Sequence, residues 1–286
     1  MVDLILSVLS SALIFVAFKL FPKYKVYTLY GIVVNYATAA SLGMLFYFGS
    51  ADKLWPGTQP WMLGCVILGI LFILVFNLMA RTAQEIGVGI ASVATKMSLV
   101  VPVLFGLLFY KEQTGVIQLI GIVLALVAVY LITAQKGGEK SVSRKALWLP
   151  VLIFLGSGII DTSINYLREA FLSDALFPLF SSLVFAMAAL SGLVFFLFKR
   201  RTLPALKARD LLGGIGLGIP NYFSIYFLLR ALNQDQWGSA MVFTLNNVAI
   251  VVLSTLIGIF LFKERLKVLQ SVGIAIALVS IILLAL

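Results

Sequence analysis

The chain is a succession of long apolar runs broken by short polar segments. Ten of them have the length of a membrane-crossing helix, about 20 residues. Their approximate limits are Leu4–Leu20, Tyr27–Phe48, Trp61–Ala80, Val88–Tyr110, Val116–Ala134, Leu147–Leu167, Phe177–Phe198, Leu211–Leu229, Ala240–Phe262 and Leu266–Leu286. A transmembrane β-barrel would show shorter segments of alternating polarity. The pattern therefore predicts an all-α integral membrane protein with ten transmembrane helices. The longest polar segment, Gln135 to Lys145 (QKGGEKSVSRK), separates two groups of five. The expected organisation is a five-helix repeat over 1–134, a polar cytoplasmic linker over 135–146 and a second five-helix repeat over 147–286.

Two segments are near-copies. At a shift of 152 residues Lys111, Glu112, Gln118, Gly121 and Ala125 fall on Lys263, Glu264, Gln270, Gly273 and Ala277, and Gly106 falls on Gly258. Upstream, Arg81 to Thr95 (RTAQEIGVGIASVAT) resembles Arg230 to Thr244 (RALNQDQWGSAMVFT) at a shift of 149. Three residues are thus gained between Thr244 and Gly258, nearly one helical turn. That predicts a kink, or a difference in tilt, between spans 4 and 9.

Charge orients the spans. Of the 21 lysines and arginines, sixteen lie in loops after odd-numbered spans, four in loops after even-numbered spans, and Lys96 lies inside a span. Cytoplasmic loops collect positive charge, so the odd loops are expected in the cytoplasm and both termini outside. Five spans is an odd number, so two sequential copies insert with opposite orientation. The result is a pair of inverted repeats, a plan in which the substrate site lies between the copies near the bilayer midplane.

Composition narrows the class. The 286 residues are 62% hydrophobic and 11% charged, against about 25% charged in soluble domains, which excludes a soluble protein. The net charge of +10 is read as loop charge rather than a nucleic-acid footprint, because no basic run is long enough to track a phosphate backbone. A single cysteine, Cys65, gives no intramolecular disulfide and no thiolate cluster, and there is no histidine. No metal or cofactor is expected. The N-terminus lacks a basic n-region and a small-residue cleavage site, so its apolar run is read as the first membrane helix.

Ten spans in two halves of five, with a Lys-Glu pair (Lys111-Glu112, Lys263-Glu264) closing spans 4 and 9 before a glycine-containing apolar span, resemble the drug/metabolite transporter superfamily. The EamA-type branch fits best, since each half looks like one EamA unit. The resemblance covers the whole chain and implies a bacterial inner-membrane carrier working by alternating access. Spans 1–4 and 6–9 would surround the pathway, with spans 5 and 10 peripheral. Many such proteins are expected to have cytoplasmic termini; the charge pattern here gives the reverse, which leaves import and export open.

Lys96 is the sharpest chemical signal (Ser92-Val-Ala-Thr95-Lys96-Met-Ser98-Leu-Val-Val-Pro102). A lysine at mid-bilayer costs at least roughly 2.5 kcal/mol, so it must face a cavity or a partner. It is a candidate substrate or ion contact; the competing readings are a snorkelling lysine or a purely structural ion pair. Asp161 is the second signal. With Asn165 and Arg168 it shares one helix face, at spacings of four and three. It could meet Lys96, load a proton, or simply anchor a helix end through Arg168. Asn35, Asn77, Asn221, Asn246 and Asn247 lie in spans; each amide can serve a polar solute or glue helices together. Thr95 and its repeat equivalent Thr244 complete the set. The expected binding residues are Lys96, Asp161, Asn77, Asn165, Asn221, Asn247, Thr95 and Thr244. The glycine-rich stretch Gly213 to Pro220 is read as packing and kinking, because its context is wholly apolar.

The function expected is secondary transport of a small polar metabolite: an amino acid, an organic anion or a nucleoside-like solute. Lys96 tilts this toward a carboxylate or phosphate. The alternative is a flippase for a lipid-linked polar group. A membrane enzyme carries less weight, for want of histidine and of any close pair of intramembrane acids, and a channel lacks charged rings. No ATP-binding motif is present. The expected partners are the substrate, the lipid bilayer and, as a candidate coupling ion, the proton; monomer and homodimer both remain open.

Overall fold

The computed structural model describes residues 1–48, 57, 59–105, 115–133, 148–172, 176–199, 203–232 and 239–284. The first Lys-Glu pair, Lys111-Glu112, and the linker over 135–146 lie outside them. Among the described residues there are eleven helices and no strand. They are α1 (Val2–Leu20), α2 (Thr28–Phe48), α3 (Trp61–Glu85), α4 (Val88–Met97), α5 (Val100–Phe105), α6 (Val116–Thr133), α7 (Leu149–Phe171), α8 (Phe177–Lys199), α9 (Ala208–Leu232), α10 (Ser239–Phe260) and α11 (Val268–Leu284). Helix is what a bilayer demands, because only a helix or a closed barrel satisfies every backbone group without water.

Eight segments are long and apolar enough to cross a membrane, with α4 and α5 together supplying one of them over Val88–Phe105. Two shorter apolar helices, Val116–Ile132 and Val268–Leu284, fill the positions of spans 5 and 10. The difference from the sequence reading is span 4, which breaks at Ser98 and Leu99. Pro102 lies four residues after Ser98 and has no N–H to give its carbonyl. The Val101 N–H takes that carbonyl instead, at 2.9 Å, and the chain restarts as α5. The outer faces carry the exposed apolar side chains a lipid-facing surface requires, such as Leu63, Ile67, Tyr130, Leu197 and Phe198.

Two compact units form. Unit 1 comprises Met1–Lys19, Leu78–Thr162 and Phe223–Leu286; unit 2 comprises Leu20–Asn77 and Ser163–Tyr222. The repeat halves are divisions of sequence, and each compact unit draws on both of them.

In unit 1, α6 packs on α11. A side chain on Gly121 would meet Leu283 and Leu284, and one on Gly273 would meet Leu131 and Ile132. These are the same contact under the 152-residue shift, read from either side, and they make α6 and α11 antiparallel. Ala125 and Ala277, equivalent by the same shift, are both fully buried. The shared glutamines cap: Gln118 accepts the Gly115 N–H at 3.1 Å and Gln270 accepts the Lys267 N–H at 3.0 Å. Each side chain reaches back three residues to an N–H that the helix cannot satisfy itself. Helices α4 and α10 are also antiparallel, joined by the Ser254–Ser92 hydroxyl bond of 2.6 Å and by Gly89 against Thr255.

Unit 2 follows the same logic. Helix α2 runs antiparallel to α8, with Gly43 against Ser182 at one end and Gly192 against Val33 at the other. Helix α9 lies parallel to α2 and closes on it through its glycines: a Cβ on Gly218 would lie 2.7 Å from the Asn35 carbonyl, and Gly214 faces Val34. The glycine-rich stretch is thus a packing surface, and α9 continues through Pro220. Tyr36, fully buried, bonds the Phe72 carbonyl at 2.9 Å and is ringed by Phe72, Phe76 and Phe185. Gly64 faces Leu167, and Gly69 faces the backbone of α8.

A Cβ on Gly69 would lie 2.6 Å from the Ala188 backbone nitrogen, which cannot rotate away, whereas one on Gly216 meets nothing within 4 Å. Gly69→Leu is expected to destabilise the protein by about 1–3 kcal/mol through overpacking, and Gly216→Ala to leave it unchanged or slightly firmer. Unfolding of the purified protein in detergent checks both.

Candidate functional site

The site is built at the break in span 4. Helix α4 has only ten residues, and Lys96 sits in its last turn. A cation there faces the negative end of the helix dipole. Just beyond, the Ser98 hydroxyl lies 2.6 Å from the Thr95 carbonyl and 2.8 Å from Asp161 Oδ2 on α7. One hydroxyl proton serves two acceptors. Glycine makes the approach possible: Gly158, one turn before Asp161, sits directly against Val101 on α5. Gly158–Val101 and Asp161–Ser98 are consecutive rungs of one antiparallel contact.

Lys96 and Asp161 are both half-buried. The hydrogen bond to Asp161 comes from Ser98, two residues beyond Lys96. Each lies well inside an apolar span, Lys96 in Val88–Phe105 and Asp161 in Leu149–Leu167.

Helix α10 adds an amide layer. Asn246 and Asn247 lie about two turns before Ser254, the residue that bonds Ser92 of α4. Asn247 is buried at 8% exposure and Asn246 at 2%. The Asn246 amide oxygen accepts from Ser7 on α1 at 3.1 Å, and the same hydroxyl bonds the Ser224 carbonyl at 2.8 Å. Thr95 and Thr244 are half-buried, and the Thr95 hydroxyl bonds the Ala91 carbonyl at 2.9 Å. The structure therefore places five of the expected residues, Lys96, Asp161, Thr95, Thr244 and Asn247, in unit 1.

The other three belong to unit 2. Asn77 gives its amide N–H to its own helix, at the Ile73 carbonyl 2.7 Å away. Asn221 is buried and donates to Asn35 at 3.1 Å, tying α9 to α2. Asn165 is exposed on α7. The Arg168 side chain, the expected local partner of Asp161, lies outside the described residues.

Ser98, Ser7 and Asn246 were not on the expected list. Ser98 carries a readable signal, since it is the residue whose carbonyl Pro102 strips of a donor. Ser7 does not, because a serine in an apolar run normally returns its hydroxyl to its own helix.

Comparison with known proteins adds three findings. Residues 2–134 match the EamA-like transporter family. A protein of Haemophilus influenzae, described only as uncharacterized, is 27% identical over 292 residues, covering 98% of this chain and 96% of its own. A protein of known crystal structure shares the fold, with a TM-score of 0.58 at 15% identity over 97% of this chain and 96% of that one.

If Lys96 and Asp161 offset each other, Lys96→Met and Asp161→Asn will each destabilise the protein and the double variant will lose less than their sum. The coupling expected for interacting neighbours is about 0.5–3 kcal/mol, measurable by a double-mutant cycle on unfolding in mixed micelles.

Proposed function

We propose that this multi-pass membrane protein, whose residues 2–134 match the EamA-like transporter family, is a secondary carrier for a small polar metabolite bearing a carboxylate or phosphate. The carrying observation is Lys96 at the interrupted end of α4, with Asp161 held by Ser98 two residues further along the chain. Charges of opposite sign brought to one helix break are placed to serve a ligand. Lys96 would take the substrate anion, Asp161 would hold the site neutral while it is empty, and Asn247, Thr95 and Thr244 would supply polar contacts. Asn77, Asn165 and Asn221 are kept as candidate contacts of unit 2.

Alternating access between inverted repeats is the mechanism proposed. The reciprocal Gly121 and Gly273 contacts and the antiparallel packing of α4 with α10 and α2 with α8 support the inverted relation. The location proposed is a bacterial inner membrane with both termini outside, supported by the loop charges. Asp161 is the candidate carrier of a coupling proton. No catalytic role is proposed for any residue.

A second reading has one observation in its favour. A groove of about 300 Å³ between α1 and α10, lined by Met1, Leu4, Ile5, Val8 and Leu253 among others, is almost wholly apolar. An acyl chain would fit it, as a flippase for a lipid-linked polar group would require.

The deciding experiment is a thermal-shift screen of wild type and Lys96→Met against anionic, neutral and cationic metabolites. A ligand at about 100 times its Kd stabilises by about 2.7 kcal/mol. Anions are expected to stabilise wild type and leave Lys96→Met unmoved. An equal response from the variant removes Lys96 from the site, and silence from all soluble ligands favours the lipid-linked substrate.

A further inference from the structure

One charge cluster at the helix ends remains outside the Lys96 site. Glu264, from the second Lys-Glu pair, follows α10 in a turn where Lys263 adopts φ +53° and the Glu264 N–H bonds the Gly258 carbonyl at 2.9 Å. Its side chain is only 11% exposed, and Oε1 lies 2.8 Å from Lys19 Nζ at the end of α1, itself 20% exposed. The same carboxylate accepts the Val88 N–H, the first of α4, at 3.1 and 3.0 Å. A carboxylate at a helix N-terminus satisfies orphan N–H groups and complements the dipole.

Glycines shape the cradle. A Cβ on Gly87 would lie 2.8 Å from Glu264 Oε2, and one on Gly258 would lie 2.5 Å from it. Gly87 also has φ +150°, a backbone that side chains disfavour. Alongside, Gln84 at the end of α3 donates to the Phe18 carbonyl of α1 at 3.0 Å. The ends of α1, α3 and α10 and the start of α4 are thus fastened together through one ion pair, one carboxylate cap and one amide–carbonyl hydrogen bond.

Helix α4 is then a short rod between two non-helical points. Gly87 precedes it, the Pro102-induced break follows it, Glu264 holds its first N–H, and Lys96 rides in its last turn. We infer that Glu264 is a positioning residue: with Lys19 and the N-terminus of α4 it forms a latch that keeps the Lys96 site shut toward the side bearing Lys19, and release of the latch lets α4 pivot and opens the site to that side. The inference rests on the carrier reading, since it presumes that Lys96 is approached alternately from two sides. A ligand can shift such an equilibrium only by differential affinity, and a carboxylate shared between a lysine and a helix end supplies a contact that one state has and the other lacks.

The test needs no substrate, so its failure is distinct from failure of the ligand screen. In a Cys65→Ala background, Thr95→Cys reports access to the site through its rate of reaction with a membrane-impermeant maleimide, in right-side-out and in inverted vesicles. Glu264→Gln and Lys19→Met both remove the ion pair while leaving an acceptor for the Val88 N–H. Each is expected to raise labelling from the Lys19 side about tenfold, a shift of about 1.4 kcal/mol, with no rise from the other side. Lys19→Arg keeps the pair and should label like wild type. Unchanged rates in both variants, or equal rises from both sides, would overturn the latch. An effect of Glu264→Ala alone, with Glu264→Gln and Lys19→Met silent, would make Glu264 a helix cap and nothing more.

Discussion

The bilayer interior offers no water to a polar group, and nearly every feature of this structure answers that constraint. Backbone groups are satisfied by helix formation. Side-chain hydroxyls in the spans return to carbonyls of their own helix, as in Thr82, Thr95, Thr162 and Ser191. Helix starts after a loop are closed by glutamine caps at Gln118 and Gln270. Where span 4 breaks, the freed groups are taken up by Val101 and Ser98. Charge is admitted where a helix end can answer it: a carboxylate at the start of α4 and a lysine at its finish. Both ends match the direction of the helix dipole.

Packing follows a second rule. Helices in lipid gain nothing by burying apolar surface from one another, so they associate where small residues let them approach closely. Gly121 and Gly273 do this for α6 and α11, Gly43 and Gly192 for α2 and α8, and Gly158 for α5 and α7. The last contact carries chemistry as well as packing. Without a small residue at 158, Asp161 could not come within hydrogen-bonding distance of Ser98.

These rules explain the duplicated motif residue by residue. Glutamine recurs because each copy caps its helix. Glycine and alanine recur because each copy packs tightly against the other. Glutamate, in the copy that is described, holds the start of α4. Lys96, in the last turn before the break, has no charged counterpart in the matching stretch of α10, Leu245 to Val248. The residues the two copies share are those that build the scaffold.

The apolar runs by themselves determined the helical class, the ten-span count and most span limits to within a few residues, because run length against bilayer thickness is a one-dimensional property. The exceptions are ends such as α3, which continues through the polar residues to Glu85, since a helix outlasts its apolar stretch where the following residues are good helix formers. The residue list also held Lys96 and Asp161, as a charge within an apolar run is conspicuous in any sequence. Tertiary structure alone decided who meets whom: Ser98 with Asp161, Ser7 with Asn246, Glu264 with Lys19 and the start of α4. Each of these joins residues 63 to 245 positions apart. The register that brings them together is set by glycine contacts between helices, and a contact distance between remote helices is not written in the local order of residues.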